Sequence, residues 1–163
     1  MRIMAHPSPV LKERAPEVDP RADSELRTLA AEMARTMYDA PGLGLAAPQV
    51  GVQKRVLVYD IDERLAVLCN PRIVERSKQT EVDEEGCLSL PGISVMVERS
   101  VSVVCEAVDL DGAPVTLQAE GLLARVIQHE IDHLDGVLII DRASAEERRA
   151  AMRQYNELTD PVR

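Results

Sequence analysis

The chain has 163 residues, 45 % of them hydrophobic, and a formal net charge of −9. That length suits one domain, expected over residues 1–163, with a core large enough to fold by itself. The charge excludes a general electrostatic affinity for nucleic acid, and no apolar stretch approaches the roughly 20 residues needed to span a bilayer. Phe and Trp are absent, so Leu, Val, Ile, Met and Ala must build the core. Cys69, Cys87 and Cys105 are odd in number and widely spaced, which is no disulfide framework. The expected setting is a reducing cytoplasm, where a free thiolate can act as ligand or nucleophile. Met1 to Pro7 lacks the long apolar core of a signal peptide.

Residues 1–22 are rich in Pro and charge and read as an extended arm over the domain, with His6 in a packing or solvated role. Ser24 is the expected N-cap of a helix that carries Leu26, Leu29, Met33 and Met37 on one stripe and runs to about Tyr38. The segment from Pro41 to Gly51 contains a G-x-G-x-x-A pattern. A dinucleotide fingerprint needs a strand before the glycines and a helix after them. Here a helix precedes, and Pro48 and Gly51 oppose a helix following. The glycines instead mark a backbone that turns sharply or approaches a ligand, with the Gln49 amide held beside it.

Strands follow at 55–60, 65–70, 73–76, 80–83 and 102–110, with Pro71 expected to break the second from the third. Asp111-Gly112 signals a hairpin into a strand over 114–119. Cys69 and Cys105 lie within strands as small buried residues. A helix begins near Glu120 or Gly121, with Gly136 as its C-cap, and Val137 to Ile140 is read as a short strand or extended exit. Ser144-Ala145-Glu146-Glu147 is a capping box for a last helix to about Leu158. Its Arg148, Arg149 and Arg153 form a solvated face offset by Glu146 and Glu147.

The helix after Gly121 carries Gln128-His129-Glu130-Ile131-Asp132-His133. His129 and His133 are four apart, so both imidazoles project from one face and can grip one metal ion. Leu122 and Val126 share that stripe. Two buried imidazoles need partners, and a metal supplies both at once. A catalytic site of this kind commonly has a third protein ligand. After His133, Asp135, Asp141, Glu146 and Glu147 offer no convincing setting for one. Cys87, after Gly86 and among turn-forming residues, is the better candidate.

Three segments together resemble the signature motifs of the peptide deformylase family: residues 42–49 (Gly-Leu-Gly-Leu-Ala-Ala-Pro-Gln), 85–89 (Glu-Gly-Cys-Leu-Ser) and 128–133. The resemblance implies an α+β fold, with antiparallel β-sheets wrapped around a central metal-binding helix and with an N-terminal and a C-terminal helix. It implies removal of the N-formyl group from formyl-methionine at the start of nascent polypeptides, releasing formate. It places one divalent metal on Cys87, His129 and His133. Ferrous iron is the expected ion, and zinc, nickel or cobalt can substitute; the donor set itself does not choose between iron and zinc. Glu130 would act as general base and then general acid on a water activated at the metal. The Gln49 side-chain amide and the Leu88 backbone N–H would steady the oxyanion. Leu43, Leu88, Leu122 and Val126 would line the methionine pocket, and Gly44 would offer backbone hydrogen bonds to the peptide. Arg125 is expected at the pocket rim, paired with Asp83. Asp132 is expected to point away from the metal, toward Arg99. Ile93-Ser94-Val95 lacks the basic residue that some relatives place there to hold the peptide. The resemblance also carries an expectation of a cytoplasmic monomer in transient association with the ribosome, with no membrane and no specific nucleic-acid contact.

Two other readings fit sections of the chain. A generic H-E-x-x-H protease would cleave internal bonds, and a binding protein could hold a structural metal. Neither explains Gln49 and Cys87 together with Glu130.

Overall fold

The computed structural model describes residues 1–160, so the last three residues of the expected 1–163 unit lie outside the described residues. Helices α1 (Leu26–Asp39), α2 (Gly121–Leu134), α3 (Ile139–Arg142) and α4 (Ala145–Thr159) accompany seven strands: β1 (Gly44–Ala46), β2 (Val56–Ile61), β3 (Arg64–Arg76), β4 (Thr80–Gly86), β5 (Ser94–Ser100), β6 (Ser102–Val108) and β7 (Pro114–Glu120). All pairings are antiparallel, in a five-stranded sheet of order β1-β2-β3-β6-β7 and a two-stranded β4-β5 ribbon. This is the α+β arrangement the sequence suggests. No helix among the described residues is long and apolar enough to cross a membrane.

The large sheet lies between two helices, and its sequence shows why. Val56, Leu57 and Val58 are all fully buried, an unbroken apolar run in place of alternation. Leu57 joins Ile127, Ile131 and Leu134 of α2 in one core cluster. Val56 and Val58 join Leu26, Met33 and Met37 of α1 in another, on the opposite face. In β5 only Val95, Val97 and Arg99 turn inward, the period-two pattern of a strand with one wet face. Behind that ribbon, α3, α4 and the N-terminal arm close a third cluster around Leu90, Ile139 and Tyr155.

Several local expectations are corrected. Ser24 is not the cap of α1; the flanking residue is Glu25, whose N–H is taken by the Asp23 carboxylate at 3.0 Å. Pro71 does not end its strand. The register shifts between Cys69 and Arg72, and Asn70 enters the left-handed region at φ 52°, so the missing N–H falls at a bulge and β3 runs on to Arg76. The Asn70 side chain pins this bulge to Val18 of the arm through two 2.8 Å hydrogen bonds. Strand β5 is absent from the sequence reading, and β4 extends through Glu84 and Glu85 to Gly86. Residues 139–142 form a helical turn, not a strand. The strand expected over 102–110 ends at Val108, and the expected capping box is half formed: Ser144 Oγ accepts the Glu147 N–H at 3.1 Å, but the Glu147 carboxylate turns to the Met96 N–H. Gly136 follows α2 at φ 77° as expected.

Candidate active site

Three segments remote in sequence meet at the buried face of α2. The helix supplies His129, Glu130 and His133; the end of β4 and the turn after it supply Glu85, Cys87 and Leu88; the segment around β1 supplies Leu43, Gly44 and Gln49. Cys87, His129 and His133 are the one set of potential metal-holding side chains detected among the described residues, with ligand atoms within 4.8 Å of one another. His133 Nε2 lies 3.2 Å from His129 Nε2 and 3.3 Å from Cys87 Sγ. Tetrahedral coordination with metal–nitrogen bonds of about 2.0–2.1 Å and metal–sulfur of about 2.3 Å requires ligand edges of roughly 3.3–3.6 Å. The two edges that meet at His133 are therefore already close to those of such a site, the third is within 4.8 Å, and the donor chemistry fits a borderline-soft divalent cation.

The imidazoles are oriented by what lies behind them. His129 Nδ1 is 2.9 Å from Glu85 Oε1, which turns its Nε2 toward Cys87 and His133. Glu85 is in turn gripped by Arg99 through two 3.0 Å hydrogen bonds and by Arg125. Arg99 continues to Asp132 at 2.6 Å, and Arg142 holds the same carboxylate with two bonds of 2.9 and 3.0 Å. Burial would raise the Glu85 pKa, but the His129 and Arg99 hydrogen bonds and charges outweigh it and hold it at about 2. Burial opposes a charge on His129, yet Glu130, Cys87 and Glu85 together raise its pKa to about 10. His133 moves the other way, pushed well down by burial and by the His129 charge. The surroundings thus favour positive charge at His129 and oppose it at His133. His133 Nδ1 has no hydrogen-bond partner among the described residues.

Glu130 is buried, its Oε2 stands 4.0 Å from His129 Nε2, and its Oε1 has no partner among the described residues. Burial is the main cause that raises its pKa to about 7. Gln49 sits in a 3-10 turn, Ala47–Val50, that ends at Gly51 with φ 82°. Its Oε1 accepts the Ala46 N–H at 3.0 Å, which commits Nε2 to the other side. There Nε2 faces Ser89 Oγ at 3.3 Å and Cys87 Sγ at 3.8 Å. A cleft of about 560 Å³ opens over these groups, and Leu43, Gly44, Leu88, Leu122 and Val126 all line it with Gln49, Cys87, His129 and Glu130. Leu43 and Leu122 stay half-exposed at its mouth, while Val126 is buried.

Other expectations resolve differently. Arg125 does not pair with Asp83. It reaches Glu85, the Val97 carbonyl at 3.0 Å and the Glu81 carbonyl at 2.8 Å, while an Asp83 carboxylate oxygen accepts the neighbouring Glu84 N–H. The Arg99–Asp132 pair is present as expected. The downstream ligand that a protease reading requires is missing from the site. Asp135 pairs with Arg55 at 2.9 Å, Asp141 is held between Lys12 and Arg148, and Glu147 accepts the Met96 N–H. Arg148 pairs with Asp141 while staying exposed with Arg149 and Arg153, so the solvated face expected of them is present. Glu85 is the functional residue that sequence reasoning passes over. Its signal is the period-two spacing to Cys87, which puts both on one face at the end of a strand.

Residues 1–149 match the family model described as Polypeptide deformylase. A peptide deformylase of Dictyoglomus thermophilum is 50 % identical over 138 residues, 85 % of this chain and 89 % of that protein. Peptide deformylase 2 of Gloeobacter violaceus is 58 % identical over 125 residues, 74 % of this chain and 67 % of that protein. The crystal structure of a peptide deformylase from Synechococcus elongatus in complex with actinonin superposes with a TM-score of 0.90 at 43 % identity, covering 96 % of this chain and 86 % of that one.

Proposed function

The chain belongs to the polypeptide deformylase family, and on that premise we propose which of its residues perform the reaction. The activity is that of a metal-dependent hydrolase that removes the formyl group from formyl-methionine at the start of nascent polypeptides. The observation that carries the assignment is the pairing of a buried, half-unpartnered Glu130 carboxylate with the ligand nitrogen of His129, 4.0 Å away.

Cys87, His129 and His133 hold the metal, with Glu85 fixing the His129 ring. A divalent cation in that position supplies Lewis-acid polarisation and makes water more acidic. Glu130 takes the proton from the attacking water as its oxygen bonds to the formyl carbon. Its pKa near 7, raised by burial, suits a group that must both accept and return a proton at neutral pH. The formyl oxygen becomes an oxyanion and accepts hydrogen bonds from Gln49 Nε2 and the Leu88 N–H. The Ala46–Gln49 bond matters here, because it fixes the amide with its NH₂ toward the cleft. Glu130 then delivers the proton to the amine nitrogen as the C–N bond breaks, giving formate and a free amino terminus. Leu43, Leu88, Leu122 and Val126 take the methionine side chain, and the Gly44 backbone pairs with the peptide.

We assign ferrous iron as the native ion, with zinc, nickel or cobalt able to replace it. The family resemblance supports iron; anaerobic purification with metal analysis tests it, and zinc at full occupancy would overturn it. We further propose one catalytic unit over residues 1–163, acting as a cytoplasmic monomer that visits the ribosome without specific nucleic-acid contact. Gel filtration and ribosome co-sedimentation test these points. Formyl-Met-Ala-Ser should yield formate and free amine in equal amounts without internal cleavage. Cys87→Ala should lose both the metal and the activity; internal cleavage, or an active Cys87→Ala, would refute the assignment.

A further inference from the structure

The two proposed oxyanion donors are tied from behind to the same short stretch of chain. In the N-terminal arm, the Met4 N–H donates to the Gln49 carbonyl at 2.6 Å, and two residues later the His6 N–H donates to the Ser89 carbonyl at 2.9 Å. Ala5 lies between them, and its carbonyl accepts the Ser8 N–H at 3.0 Å to close the turn that follows. One short segment therefore bridges the turn that carries Gln49 and the turn that carries Leu88. Gln49 and Ser89 are buried, so these backbone carbonyls have little access to water as a substitute.

The segment is held on its outer side by α4. Tyr155, itself buried, donates its hydroxyl to the His6 carbonyl at 2.7 Å, and its ring meets the His6 ring edge-on at 5.8 Å. Tyr155 shares a core cluster with Leu90 and Ile93, and Met4 and Cys87 pack against the same cluster. Tyr155 also lies beyond residue 149, where the match to the family model stops.

We propose that Met4 to His6 form a strap that sets the distance between the Gln49 amide and the Leu88 N–H, and that Tyr155 is a positioning residue acting through it. The proposal rests on the reading of Gln49 and Leu88 as oxyanion donors. A donor works in the transition state only if it is aimed before charge develops. The Gln49 side chain is fixed at its oxygen by Ala46, but the turn that carries it is free to shift unless its carbonyl is also held. The Ser89 carbonyl, next along the chain from Leu88, has the equivalent role for the other donor. Releasing the Gln49 tie should lower kcat and leave KM for a formyl-peptide nearly unchanged, because the pocket residues Leu43, Leu88, Leu122 and Val126 lie outside the turn that this tie holds.

Met4→Pro removes the N–H, and Met4→Ala keeps it while also losing the side chain. With the metal-loaded full chain, Met4→Pro should have a kcat about tenfold or more below Met4→Ala at similar KM. That gap should close when both are made in Gln49→Ala protein, since the strap then has no amide to aim. Tyr155→Phe keeps the ring and removes the hydroxyl, and should lower kcat roughly threefold to tenfold without a KM change. This second variant decides the matter if Met4→Pro does not fold. Equal kcat for the two Met4 variants, or a gap that persists in Gln49→Ala, overturns the strap. An unchanged kcat in Tyr155→Phe overturns the role of α4. An unchanged kcat in Gln49→Ala itself overturns the donor reading beneath the proposal, a failure distinct from the others.

Discussion

Gly44 lies against the Glu130 carboxyl so closely that a Cβ at position 44 would stand 2.7 Å from Oε2 and 2.9 Å from Cγ. The glycine is required by this approach. Its φ is not among the positive values, so conformational freedom is not the reason. Gly44→Ala must push the Glu130 side chain off its position beside His129. A displacement near 1 Å of a catalytic group costs on the order of 100-fold in rate. The expected result is a fall in kcat of about that size with metal content and fold retained, read by formate release beside metal analysis. Wild-type turnover would show that the Glu130 position is not critical.

Glu85 anchors a chain of charges, buried from His129 through Arg99 to Asp132, that ends at the exposed Arg142. Removing one member of a buried pair leaves the rest uncompensated, at about 3–5 kcal/mol. It also frees the His129 ring, and loss of such a partner typically weakens metal binding about 10–100-fold. Glu85→Ala should therefore show both effects, read by denaturant unfolding and by competition with a chelator. A stable variant with unchanged metal affinity would remove Glu85 from the site.

The same carboxyl sets an acid limb. Its folded pKa, about 2, lies below the ordinary 4.5, so in that window the unfolded chain binds more protons. The contribution is fully present above about pH 4.5 and is lost as pH falls toward 2. Its size is on the order of 3–4 kcal/mol, from a pKa drop from 4.5 to about 2 at about 1.4 kcal/mol per tenfold. In chelator-treated protein the stability gap between wild type and Glu85→Gln should shrink between pH 4.5 and pH 2. A constant gap across that range would contradict the shift.

Much of this architecture can be read from the residues. The i, i+4 histidines, the apolar stripe they share with Leu122 and Val126 and the isolated Cys87 all announce the metal set, because side-chain direction follows from helix and strand period. Three things stay hidden. Strand β5 alternates Val95, Val97 and Arg99, and an inward Arg spoils the apolar pattern until its partners Glu85 and Asp132 are known. The bulge at Asn70 depends on a side chain bonding to Val18, which is 52 residues away. The partner of Arg125 is not legible, because proximity on β4 does not tell which carboxylate already has a donor. Long-range polar pairing leaves no period in a sequence.

Cobalt gives the thiolate a visible signature. Reconstitution with cobalt should produce a sulfur-to-metal charge-transfer band in wild type, together with restored activity, and no such band in Cys87→Ser. A cobalt protein without that band would move the third ligand away from Cys87.

In the proposed mechanism Glu130 moves the proton while the cysteine and two histidines hold the metal. Formate release by metal-loaded Glu130→Gln, with metal content determined on the same sample, tests this most directly. One metal per chain and a kcat lowered by about 10²–10⁴-fold, the range of a lost general acid–base, are expected. Turnover within a few-fold of wild type at full metal occupancy would contradict it.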